Sequence, residues 1–109
     1  MIYEFKTYRA TEGNIERLIH RFHEKTMPIF ARLGIEVVNC WTSADEPSTF
    51  FYLTRFESDE ARQAAWALFG ADAEWKKAKA ASEANGPLLG SQITLLLKPT
   101  DFSPADAGR

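Results

Sequence analysis

Two strand-like runs in this chain, Phe50-Phe51-Tyr52-Leu53 and Ile93-Thr94-Leu95-Leu96-Leu97, are apolar without clean alternation. A strand with water on one side alternates apolar and polar residues. These runs therefore belong to a sheet that needs cover on both faces. The rest of the chain limits what that cover can be. A strand over Ile2 to Arg9 precedes a helix from about Ile15 to Leu33. Strands over Ile35 to Thr42 and Phe50 to Glu57 follow. A helical stretch then runs to Ala84, and a last strand spans Ser91 to Lys98.

That order is βαββαβ, and the expected fold class is α+β, ferredoxin-like, with a four-stranded antiparallel sheet. Right-handed crossovers place both helical connections on the same side of the sheet. The other side is left bare, about four strands wide at ~4.8 Å each and ~20 Å long. In a chain of 109 residues the expected cover is a second copy, so two subunits form a dimeric α+β barrel. A homodimer through the open sheet face is the partner expected on these grounds.

Local signals support the elements. Ile15, Leu18, Ile19, Phe22, Thr26, Ile29 and Leu33 make one helical stripe. Arg17, Arg21 and Lys25 are expected on the far side. Pro28 lies inside the stripe and predicts a kink or restart. Gly34 ends that helix. Ser58 is a good N-cap for the next one. Gly70 is expected to interrupt that helix, and Asp72 to cap its second stretch. Asn85-Gly86-Pro87 stops it. Domain organisation reads as one unit over 1–99 and a tail over 100–109, partly disordered unless Phe102 docks.

Composition excludes several classes. Net charge is −2 with no basic block, so neither nucleic acid nor a membrane is an expected partner. No apolar run approaches the roughly 20 residues of a spanning helix. Met1-Ile2-Tyr3-Glu4 lacks a basic stretch followed by an apolar core, so no secretory leader is expected. Cys40 is the single cysteine, and a cytoplasmic location is the default. There is no P-loop, no GxGxxG, no zinc-spaced cysteine set and no serine elbow, and no cofactor is expected.

The residues resemble a known family. Ile2-Tyr3-Glu4-Phe5-Lys6-Thr7-Tyr8 is similar to the opening strand of NIPSNAP-type domains, a Tyr-Glu-Leu-Arg-x-Tyr pattern. Gly13 stands at that family's Pro-Gly turn, and Trp41 at its strand-two tryptophan. Phe56-Glu57-Ser58 followed by Arg62 fits its Tyr-x-Ser-x-x-x-Arg step. Asp72-Ala73-Glu74-Trp75 fits its acidic-x-x-Trp, and Lys98-Pro99-Thr100-Asp101-Phe102-Ser103-Pro104 its ending. Lys6 for arginine, Phe56 for tyrosine and Thr54 for an aromatic are departures. The resemblance implies a dimeric α+β barrel and leaves the chemistry open, since such folds host unrelated activities.

Glu4, Lys6 and Tyr8 are the first candidate site residues, because period-two spacing puts all three on one strand face. With Tyr3 and Phe5 turned to the helices, the trio is expected inside the dimer barrel. Glu4 would serve as a base and Tyr8 as an acid or hydrogen-bond donor. The other reading is a structural polar network that fixes register. Trp41, sharing a face with Ile35, Val37 and Asn39, is a candidate pocket wall. Arg55 is a candidate anion contact or a partner of Glu36 or Glu57. Arg62 is expected to pair with an acid at the helix start. Cys40 reads as a small buried hydrophobe. His20 and His23 are expected at the periphery, so no metal site is expected.

The leading functional expectation is a small apolar or aromatic ligand bound in a cleft between sheet and helices. One alternative is a cofactor-independent monooxygenase or isomerase acting on a small aromatic compound. Another is a protein-interaction module without a ligand.

Overall fold

The computed structural model describes residues 1–104. Strand β1 (Ile2–Ala10) leads into helix α1 (Ile15–Arg21), a π-helical turn over Phe22–Thr26, and helix α2 (Met27–Leu33). Strands β2 (Glu36–Thr42) and β3 (Thr49–Phe56) follow, then helices α3 (Asp59–Ala71) and α4 (Ala73–Ser82), and strand β4 (Leu89–Leu97). The sheet order is β2-β3-β1-β4, antiparallel throughout. This is the ferredoxin-like α+β fold expected from the element order. Of the tail, residues 105–109 lie outside the described residues, and Phe102 is exposed rather than docked on the chain.

The first helical segment breaks ahead of Pro28. Proline has no N–H for the carbonyl four residues back, and its ring crowds that carbonyl. The chain answers with the wide turn at Phe22–Thr26, which leaves Pro28 at the start of α2, where a missing donor costs little. Gly34 closes α2 at φ 77°, a left-handed conformation that suits a residue without a Cβ. The Ser58 hydroxyl accepts from the Ala61 N–H, and the Asp72 carboxylate accepts from the Trp75 N–H, so both expected caps form. Gly70 does not interrupt α3. The helix runs through it to Ala71 and breaks at Asp72, whose extended backbone restarts it as α4.

The core lies between sheet and helices. Ile2, Phe22, Phe30, Ile35, Phe50, Tyr52 and Phe56 form one buried cluster. Residues directly opposite in an antiparallel ladder share a face. Ile2, Glu4, Lys6 and Tyr8 stand opposite Phe56, Thr54, Tyr52 and Phe50. The even positions of β1 therefore face the helices. Tyr3, Phe5 and Thr7, with Phe51, Leu53 and Arg55 of β3 and Ile93, Leu95 and Leu97 of β4, form the bare face.

This reverses the expected orientation of the opening strand. Tyr3 and Phe5 do not turn to the helices, and Glu4, Lys6 and Tyr8 do not turn to the bare side. The polar residues are accepted on the covered side because charged and phenolic partners meet them there. A second correction concerns β2. The ladder slips between Val37 and Asn39, so Val38 is an extra residue. Val37 and Ile35 pack on the core side, while Trp41 falls on the bare face opposite Phe51. Trp41 does not share a face with Ile35 and Val37, because the bulge shifts the alternation by one.

Candidate functional site

A cleft of about 330 Å³ opens between the sheet and the helices. Tyr8 of β1 and Leu89 and Gln92 of β4 form its floor. Leu18, Arg21 and Phe22 approach from the first helical segment, Phe30 from α2, Phe69 from α3, and Trp75 and Lys79 from α4. Glu83 and Pro87 lie beyond them. Its walls are mainly aromatic. Phe30 meets Phe22, Tyr52, Trp66 and Phe69 edge-on or tilted, and Phe69 stacks on Trp75 at 4.7 Å. A few convergent polar groups in an aromatic cleft are the usual make-up of a small-molecule site. A wider groove of about 1050 Å³ runs along the outer side between α1 and α4. Arg17, Glu24, Lys25 and Lys77 line it as solvated surface charges, so it lacks the enclosed aromatic wall of the inner cleft.

Tyr8 is the sequence candidate that reaches the cleft. Its hydroxyl lies 2.7 Å from that of Tyr52. Tyr52 is buried, whereas Tyr8 borders the cleft. The arrangement that strands no buried hydrogen has Tyr52 donating to Tyr8. The hydrogen of Tyr8 is then free for the cleft. Burial pushes both phenols above their usual range, Tyr52 strongly; for Tyr8, the bond from Tyr52 and the charge of Arg21 pull partly back. Both are neutral donors at physiological pH.

Glu4 and Lys6 occupy a separate polar cluster. Glu4 is 1% exposed. Its Oε1 accepts from Arg62 Nη1 at 2.7 Å, and its Oε2 lies 3.2 Å from Lys6 Nζ. Arg62 also donates to Asp59 at 2.8 Å, which confirms its expected acid and adds one from the strand. Lys6 reaches Thr94 Oγ1 at 3.0 Å and stands 5.3 Å over the Trp66 ring. Two carboxylates and two cations make this group neutral. None of the four is among the residues lining the cleft.

Trp41 and Arg55 are brought to neither place. Both lie on the bare face. Arg55 holds Glu36, one of its three expected partners, through two hydrogen bonds, and its guanidinium lies near the Tyr3 ring. Cys40 is half-buried against the core. His20 and His23 are exposed, as expected. Among the described residues no cluster of His, Cys, Asp and Glu is arranged to hold a metal.

Arg21, Tyr52 and Trp75 are the site residues that sequence reasoning missed. Arg21 was expected on the outer side of its helix. It is instead 6% exposed, because α4 lies alongside and offers Ser82 Oγ at 3.1 Å and Glu83 Oε2 at 3.0 Å. The available signal was its position three residues after Leu18 and beside Phe22, at the margin of the apolar stripe.

No helix among the described residues is long and apolar enough to cross a membrane. No curated protein matches the chain. Solved structures do. A NIPSNAP family protein of unknown function from Agrobacterium tumefaciens is 26% identical, with a TM-score of 0.80 over 95% of this chain and 92% of that one. An uncharacterized NIPSNAP domain protein from Burkholderia xenovorans is 21% identical, with a TM-score of 0.82 over 95% and 99%. A protein from Nitrosomonas europaea, named "putative antibiotic biosynthesis monooxygenase", shares the fold at a TM-score of 0.64 and 11% identity over 90% and 97%. The NIPSNAP family model matches residues 3–104. With the opening strand from Tyr3 onward, the strand-to-helix step and the final strand inside that match, the chain belongs to the NIPSNAP family.

Proposed function

We propose that this chain binds a small apolar or aromatic molecule in the cleft between sheet and helices, and that it does so as a pair of copies joined through their bare sheet faces. The observation that carries the first part is the cleft itself, about 330 Å³ with aromatic walls and the Tyr8 hydroxyl at its floor. A solidly packed interior would have favoured a module without a ligand.

The pairing rests on the bare face. Ile93 is 62% exposed, Leu95 51% and Trp41 43%, all on one side of the sheet beside the stacked Phe5 and Phe51. Contiguous apolar surface of this kind is costly to leave in water. The chain measures 46 × 35 × 19 Å, so its broad side has room for the ~800 Å² per partner of a standard interface. A two-fold axis lets the same patch cover itself.

An enzymatic reading, oxidation or isomerisation of a small aromatic, is favoured by one feature, the Tyr8 hydroxyl as a donor to a developing oxyanion. Glu4, the expected base, is held by Arg62 and Lys6 away from the cleft lining. Binding is therefore the stronger reading.

Native mass spectrometry of freshly purified protein tests both parts. The expected result is a two-chain species carrying a small organic molecule, which Gln92→Trp expels by filling the cleft. A single-chain species contradicts the pairing. Retention of the molecule by Gln92→Trp contradicts the cleft.

A further inference from the structure

Arg21 has more donors than the chain uses. Both of its hydrogen bonds to described residues, to Ser82 and to Glu83, leave from Nη1. A guanidinium carries five N–H groups in a rigid fork. The Nε and Nη2 hydrogens meet no acceptor among the described residues. The side chain is nonetheless 6% exposed and borders the cleft, with the Trp75 ring 5.2 Å from its Cζ. These spare donors are not sealed in protein, since the side chain borders both the inner cleft and the outer groove, and they are open to an acceptor that enters the cleft.

The charges around the cleft point the same way. Glu83 is shared by Arg21 at 3.0 Å and Lys79 at 3.9 Å. The charged lining residues are these three, so one positive charge is in excess. A single excess charge matches a monoanion better than a phosphate dianion. The free hydrogen of Tyr8 adds a neutral donor on the floor.

Resting on the cleft as the ligand site, we propose that its occupant is an aromatic carboxylic acid. The carboxylate is held by the unspent N–H groups of Arg21 together with the Tyr8 hydroxyl. The ring lies among Phe22, Phe30, Phe69 and Trp75. The planar guanidinium suits a carboxylate because two parallel N–H groups can engage its two oxygens.

Isothermal titration with 1-naphthoate and with the neutral, similarly shaped 1-naphthamide tests this. The expected result is that naphthoate binds at least about tenfold tighter, the scale of a charge-assisted pair. Arg21→Gln should bring naphthoate to the affinity of naphthamide and leave naphthamide within about twofold, since only the charge-assisted contact is lost. Glu83→Gln removes a competing carboxylate and keeps the proposal testable should Arg21→Gln fail to fold. It should tighten naphthoate several-fold and leave naphthamide unchanged. Equal affinities of the two probes in the wild type, or Glu83→Gln without effect on naphthoate, would overturn the carboxylate proposal while the cleft stands. Failure of both probes to bind would overturn the cleft with it.

Discussion

The two faces of one sheet carry opposite solutions to burial. The covered face contains two of the three ionic residues of β1, Glu4 and Lys6, yet it is the buried one, because Arg62, Tyr52 and Thr94 meet its polar groups. The bare face carries Phe5, Phe51, Trp41, Ile93, Leu95 and Leu97, yet much of it is open in the single chain. Apolar content alone does not mark the core side of a strand. What marks it is whether neighbouring elements can complete both the packing and the hydrogen bonds. The covered face keeps a cleft with specific groups around it. The bare face has a broad apolar patch, and its Arg55 and Glu36 are spent on each other, which suits a partner surface.

The comparison can be broken most severely on the covered face. Phe30→Ala deletes a side chain at the centre of the aromatic cluster and should cost about 3–5 kcal/mol in denaturant unfolding. Arg62→Ala strips Glu4 of its strongest partner, leaves Lys6, and should cost about 2–4 kcal/mol. If either change proves neutral, the covered face is not the core described. On the bare face the double change Ile93→Glu and Leu95→Glu should do something different. Sedimentation velocity should show two-chain species giving way to single chains, with the fold of the single chain kept by circular dichroism. Collapse of the fold would erase the distinction between the faces.

Smaller effects sharpen the picture. Tyr8→Phe removes one partly buried hydroxyl bond and should cost about 1 kcal/mol. The two phenols also set an alkaline limb. Their folded pKa values lie above the ordinary 10.0. Their contribution is thus fully present below about pH 10 and is lost as pH climbs through the raised values. Tyr52→Phe should flatten that loss in pH-dependent thermal unfolding. An unchanged slope would mean the pair is not buried as described. At the acid end, Asp59 and Asp72 are held below their ordinary 3.8 by Arg62 and Arg32. Their stabilisation is present above that value and fades as pH falls through the lowered ones.

Much of the fold could be read from the residues because it rests on local signals. The Ser58 and Asp72 caps, the Gly34 stop and the two-sided apolar strands each have a short-range cause. The faces of β1 could not, because both of its sides carry aromatic rings. The choice is made by Tyr52 and Thr54 across the ladder and by Arg62 on a distant helix. Trp41 was misplaced by one residue of slip at Val38, which no local motif announces. For the site, the clustering of Glu4, Lys6 and Tyr8 on one face was legible from period two. Arg21 was not, because its burial comes from α4, sixty residues away along the chain.

The three tryptophans allow one direct test, since they report from different places. Trp41 sits on the bare face, Trp66 of α3 packs against the core, and Trp75 borders the cleft. In a nitrogen–proton correlation spectrum, titration with 1-naphthoate should move the indole N–H signal of Trp75 and leave that of Trp41 in place. Movement of Trp41 with Trp75 unchanged would put the ligand on the sheet's bare side and contradict the division of labour between the faces.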